Sequence, residues 1–244
     1  MTDKNPAGAA HARRDEDILV ITLDHPPVNA LSADVRHGLA AAIQAAQSDP
    51  QVRAVLLVGA GKNFIAGADI REFGKPPKPP ALPDVCNQIE ASNKPVVAVL
   101  HGAALGGGLE VALAAHYRVA LPGAKLGLPE VNLGLLPGAG GTQRTPRLIG
   151  ARAALDLMLS GKHLSAEAAL KAGLVDALGE GDDALAAGLA YTRRLLAEGA
   201  GPRRSRDATA ALADKAAALG EAAAAGEQVA KTLRGLDSPA KIVD

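Results

Sequence analysis

Glu110 and Glu130 are the residues of this chain whose surroundings ask for a chemical explanation. Glu110 stands in "AALGGGLEVALA" (103–114), three residues beyond Gly107, in the first turn of an otherwise apolar helix. Glu130 stands twenty residues further on, in "GLPEVNLG" (127–134), again among apolar neighbours. A glutamate buried without a partner is costly, so packing alone would not select it. Two carboxylates in such surroundings can titrate apart, one ionised to take a proton and one protonated to give it.

The glycines 106–108 that precede Glu110 point the same way. Glycine is a poor helix former, but where the chain is expected to turn from the strand "PVVAVLHG" (95–102) into a helix it lets backbone N–H groups approach a ligand closely. The helix N-terminus adds positive partial charge, which suits an oxygen that becomes negative during reaction. A second small-residue turn, "FIAGADI" (64–70), is expected to follow a strand directly. One amide from each turn would make an oxyanion hole.

Other motifs fail on inspection. "GAGK" (59–62) has Leu56 where a phosphate-binding loop needs its first glycine and Asn63 where it needs Ser or Thr. No GxGxxG follows a strand, and "PGAGG" (137–141) lacks the spacing of a dinucleotide site. There is no GxSxG elbow. The six histidines show neither HExxH nor HxH spacing, and Cys86 is the single cysteine. No metal site is therefore expected, an intramolecular disulfide is excluded, and a reducing, cytoplasmic setting fits.

These groups need a scaffold, and the apolar runs supply one. "ILVITLDH" (18–25), "VRAVLLVG" (52–59) and "PVVAVLHG" (95–102) read as buried strands, apolar on successive residues as strands covered on both faces are. A helix is expected at about 33–46, capped by Ser32. "FGKPPKPPALP" (73–83) is too proline-rich for regular structure and reads as a loop beside the site. "YRVALP" (117–122) is a further short strand, and beyond it the chain turns mostly helical, including an expected helix at 207–218. The fold class is α/β. The chain divides into a disordered tail (1–17), a core (18–200) and a helical C-terminal segment (201–244) that either ends normally or is cut from a longer chain.

Composition excludes other classes. With 26 basic against 26 acidic residues and only two Phe, two Tyr and no Trp, the chain lacks the basic excess and stacking platforms of nucleic-acid binders. No run approaches the roughly 20 apolar residues of a membrane span. A soluble globular protein with neither nucleic-acid nor membrane partner is expected.

In this order and spacing, "NFIAGADIREF" (63–73), "HGAALGGGLEVALAAHYRVA" (101–120) and "LGLPEVNLGLLPGAGGTQRTPRLIG" (126–150) resemble the enoyl-CoA hydratase/isomerase, or crotonase, family from about Ile18 to Leu178. Within it the chain looks most like the hydratase part of bifunctional enoyl-CoA hydratase/3-hydroxyacyl-CoA dehydrogenases, because the segment after Gly201 departs from the usual single-function ending. The resemblance implies a spiral of ββα units with a helical C-terminal region. It implies that the amides of Ala68 and Gly107 bind a thioester oxygen, and that Glu110 and Glu130 add water to a trans-2-enoyl-CoA, giving (3S)-3-hydroxyacyl-CoA in β-oxidation. No cofactor is implied beyond the coenzyme A of the substrate. That coenzyme A is expected along Pro27, Val28 and Ala30 and along Ala66, Gly67, Asp69 and Ile70, with Lys62 as a phosphate contact and Asp69 ordering the oxyanion turn. Assembly as a homotrimer or dimer of trimers is implied, as is a fused or partner 3-hydroxyacyl-CoA dehydrogenase. The alternatives are a Δ3,Δ2-enoyl-CoA isomerase, which commonly lacks one glutamate, and a non-catalytic or RNA-binding protein on the same fold.

Overall fold

The computed structural model describes residues 9–232 and 236–244. Its body is a six-stranded sheet in the order β1 (Ala10–Asp15), β2 (Ile18–Leu23), β3 (Ala54–Gly59), β4 (Val96–Leu100), β6 (Tyr117–Ala120) and β9 (Ala177–Leu178). All neighbours run parallel except β1 against β2. A second sheet joins β5 (Ala103–Leu105), β7 (Lys125–Gly127) and β8 (Leu164–Ser165).

Strand geometry explains why the apolar runs are continuous. Successive side chains point to opposite faces. Ile18, Val20, Ala54, Leu56, Val97 and Val99 enter one apolar cluster, while Ile21, Leu23, Val55, Leu57, Val96 and Ala98 enter another. Helix α7 (Ala184–Ala197) covers the first face, and Gly188 brings it so close that a Cβ there would lie 2.6 Å from Val99. Helices α1 (Ala33–Ser48), α2 (Leu82–Glu90) and α3 (Gly107–Ala114) cover the second. As expected, Ser32 caps α1, its hydroxyl accepting from the Val35 amide.

Four expectations are corrected. Residues 10–15 are not part of a disordered tail but form β1, paired with β2 from Ala10 against Leu23 to Asp15 against Ile18; residues 1–8 lie outside the described residues. Its "AHARRD" has no apolar face because an edge strand needs only backbone pairing, and charges suit its exposed side. The glycine-rich turn follows the short β5, not β4, and the 64–70 turn lies five residues beyond the end of β3. Ser205–Asp207 and Ala210–Leu212 form two short 3-10 turns, and the expected helix at 207–218 starts only with α8 (Lys215–Thr232). There the Asp214 carboxylate accepts from the Ala217 amide and sets the start.

Helices α4 (Gly141–Ile149), α5 (Ala151–Ser160) and α6 (Ala166–Ala172) pack on the body. Helix α9 (Asp237–Val243) returns to it, placing Ile242 in the main core cluster. Among the described residues no helix is long and apolar enough to cross a membrane.

Candidate active site

The two small-residue turns meet because their backbones are tied side by side. Ile65 bridges Ala104, with the Ile65 amide donating to Ala103 O at 3.1 Å and the Leu105 amide to Ile65 O at 3.1 Å. The glycines then follow from space. At Gly108 a Cβ would collide with Ile65 O and lie 2.7 Å from its Cβ; at Gly107 it would lie 2.8 Å from Leu82 Cδ2 and 3.1 Å from Leu31 Cδ1. Gly106 takes φ +53°, a left-handed conformation that side chains disfavour.

Leu31 is the shared neighbour: it approaches Gly107, bridges Ala68, and its amide donates to Gly67 O at 2.9 Å. Gly107 opens α3, so its amide has no acceptor within the helix. Among the described residues neither the Ala68 nor the Gly107 N–H donates to a backbone carbonyl outside the regular elements.

Glu110 is buried and its Oε1 accepts from two amides, Ala139 at 2.6 Å and Gly141 at 2.8 Å, at the start of α4. Burial pushes its pKa up, while the two amides and the charge of Arg144 pull against that shift. Glu130 lies in the 3-10 turn Pro129–Leu133, its Oε1 placed 3.2 Å from where a Cβ of Gly106 would be. Its Oε2 is buried without a hydrogen-bond partner. Burial, with the charge of Glu110 adding to it, pushes Glu130 up to about 7.

The stretches 26–30 and 65–69 run together: the Ala66 amide donates to Val28 O at 3.1 Å, and Asn29 donates to the carbonyls of Ala60 and Asn63, both at 2.9 Å. Pro27, Val28, Lys62, Ala68 and Ile70 are exposed, and Ala30, Ala66 and Gly67 half-buried. Asp69 is buried; it accepts from the Arg71 amide at 3.0 Å and pairs with the Arg71 guanidinium at 2.7 Å, which holds its carboxyl down at about 2. A cavity of about 440 Å³ opens beside Ala68, walled by Leu31, Leu82, Phe73, Pro76 and Pro77; the two glutamates lie outside that wall. Among the described residues no three His, Cys, Asp or Glu side chains gather as a metal site would require.

Sequence reasoning missed what holds Glu110. "PGAGG" (137–141) fails as a dinucleotide motif, yet it supplies both amides on the carboxylate; its adjacent glycines were the available signal. It also missed Arg36, whose guanidinium pairs with Glu72 at 2.9 Å and donates to Pro80 O at 2.8 Å and Lys78 O at 2.9 Å, pinning the proline-rich loop.

The chain belongs to the enoyl-CoA hydratase/isomerase family, whose model matches residues 13–233, and it has the crotonase fold. It is 55% identical over 163 residues to the peroxisomal bifunctional enzyme of Danio rerio, spanning 67% of this chain but only 23% of that protein. A probable enoyl-CoA hydratase of Bacillus subtilis (strain 168) is 44% identical over 177 residues, covering 70% of this chain and 68% of the relative. The crystal structure of enoyl-CoA hydratase from Mycobacterium tuberculosis H37Rv superimposes with a TM-score of 0.74 at 30% identity, covering 97% of this chain and 88% of that one.

Proposed function

We propose that the protein is an enoyl-CoA hydratase that adds water to a trans-2-enoyl-CoA to give (3S)-3-hydroxyacyl-CoA. The observation that carries this is the asymmetry of the glutamate pair: Glu110 accepts two amides, whereas Glu130 keeps a buried oxygen without a partner. Burial raises both carboxyls, but at Glu110 the two amides oppose that shift and favour the carboxylate, whereas the unpartnered oxygen of Glu130 favours a carboxylic acid.

The thioester oxygen binds the amides of Ala68 and Gly107, which stabilise the enolate that forms as water adds. Glu110 takes a proton from water while the water oxygen bonds to C3, and Glu130 delivers its proton to C2. The net addition consumes one water, and one proton passes from Glu110 to Glu130 to restore the pair. No cofactor enters this scheme; coenzyme A arrives as part of the substrate and lies along 26–30 and 65–69, with Lys62 near its phosphates. The cavity beside Ala68 receives the acyl chain. Asp69 orders the oxyanion turn through its pair with Arg71.

The name of an Arabidopsis thaliana relative, a peroxisomal fatty acid beta-oxidation multifunctional protein, supports a place in fatty acid β-oxidation, and a fused or partner 3-hydroxyacyl-CoA dehydrogenase belongs to the same reading. A homotrimer or dimer of trimers, and a cytoplasmic location, are part of the same reading; light scattering and localisation of the tagged protein test them, the peroxisome being the compartment named for that relative.

The test is loss of the enoyl thioester absorbance with crotonyl-CoA, compared with Glu110→Gln and Glu130→Gln. Rapid loss in the parent and a drop on the order of 10³-fold in each variant is expected, since each removes one proton-transfer group. Full activity in Glu110→Gln rejects the role given to it. No hydration, but conversion of a 3-enoyl-CoA, selects the isomerase reading.

A further inference from the structure

Glu110 is held by a turn, and the turn is held by an arginine that the proposed reaction does not use. Arg144, in the first turn of α4, reaches back so that its Nη1 donates to Ala139 O at 2.9 Å, while the amide of that same Ala139 donates to Glu110. Its Nη2 donates to Glu90 Oε2 at 3.0 Å and to Asn87 Oδ1 at 2.9 Å, both on α2. Gly140, between the two amides that bind Glu110, has φ +101°, and a Cβ there would collide with the guanidinium.

Glu90 is fixed from the other side. It accepts from the Ser205 hydroxyl and, at 2.9 Å, from the Arg206 amide, so the chain after α7 closes over the pair. Burial alone would raise the Glu90 carboxyl, but Ser205, Arg144 and the Arg206 amide together hold it below the ordinary range.

Only 7% of the Arg144 side chain and 4% of the Glu90 side chain are exposed, and Arg144 Nε has no partner at all. A buried ion pair is a poor source of stability compared with apolar packing of the same volume, and an unsatisfied donor makes it poorer. As a brace for a turn it is well suited, because a guanidinium fixes several acceptors in one plane.

We propose that Arg144 is a positioning residue for Glu110, acting through the Ala139–Gly141 turn, with Glu90 as its anchored counter-ion. This rests on the hydratase reading above. The groups facing Glu110 are Glu130 from the 129–133 turn, Cys86 from α2 and Arg144 from α4, and Arg206 stands behind Glu90. Of these only Arg144 brings positive charge directly to bear on Glu110, pulling its pKa down. Removing it loosens the turn and removes that charge, and both changes favour protonated Glu110.

The experiment compares the whole protein with Arg144→Met, Arg144→Lys and Glu90→Gln. Hydration of crotonyl-CoA is followed from pH 5 to 9, and the Glu110 carboxyl is titrated directly by carbon-13 NMR, assigned with Glu110→Gln. Arg144→Met is expected to lose on the order of 10²-fold in kcat, the scale of a misplaced catalytic group. KM should change far less, the acid limb and the Glu110 titration should both move to higher pH, and Arg144→Lys should recover part of each effect. A kcat loss with unmoved acid limb and titration overturns the proposal, as does unchanged kcat. If the parent proves to have no hydratase activity, the titration alone decides: an unmoved Glu110 rejects the positioning role, and a raised one upholds it while the hydratase reading falls. Should Arg144→Met not fold, Glu90→Gln, which preserves the shape of its side chain and leaves the Arg144 charge in place, tests the anchor: a kcat loss with KM far less changed and a Glu110 titration that stays or falls upholds the brace, and unchanged kcat or a raised titration overturns it.

Discussion

Glu110 and Glu130 carry the same carboxyl group in two surroundings that treat its charge differently. At Glu130 there is burial, an orphaned oxygen and the neighbouring Glu110, which together raise the pKa from 4.5 to about 7. Between those two values the folded chain binds a proton that the unfolded chain has released, so this group makes stability fall as pH rises. Below about pH 4.5 it costs nothing, and above about pH 7 its cost is full and constant. Glu130→Gln has no such charge. Its melting temperature should therefore gain on the parent's by an amount that grows from pH 4.5 to 7 and then levels, on the order of a few degrees. A difference that stays flat across that window rejects the raised pKa.

At the scale of elements, the site depends on how tightly β5 and the start of α3 lie against 64–68. Gly108 sets that distance, because Ile65 O occupies the space a side chain would need. Gly108→Ala should push the two segments apart and carry the Gly107 amide away from Ala68. We expect a loss on the order of 10²-fold in hydration and a destabilisation of about 1–3 kcal/mol, measured by assay and urea unfolding. Normal activity in this variant means the two amides do not act together. The proline-rich loop behaves differently from a free excursion: Arg36 from α1 binds its carbonyls at Lys78 and Pro80, so irregular backbone is fixed by one buried guanidinium. Nothing in the run "FGKPPKPPALP" signals this, since the arginine is more than forty residues away in sequence.

For the molecule as a whole, the C-terminal segment is not an appendage. Glu90 on α2 receives Ser205 and the Arg206 amide, and α9 delivers Ile242 to the main core. A boundary at 200/201 is crossed by both contacts. Ile242→Ala should cost about 2–4 kcal/mol, the range for truncating a buried isoleucine. The loss should appear in a single unfolding transition shared by the whole chain, seen by calorimetry. A separate early transition, with the main one unmoved, makes residues 201–244 an independent unit.

Much was legible in the sequence for a physical reason: short continuous β-branched runs bounded by turn residues fit strands buried on both faces, and a lone glutamate in an apolar helix suits neither core nor solvent. The class of fold, the free-amide turns and the glutamate pair rest on such local conflicts between residue type and surroundings. The edge strand β1 was illegible because backbone pairing, not side-chain pattern, makes it a strand. The brace behind Glu110 was illegible for a different reason. Arg144, Glu90 and Ser205 are ordinary polar residues on α4, α2 and the segment after α7, and only folding, which removes their water, forces them to satisfy one another.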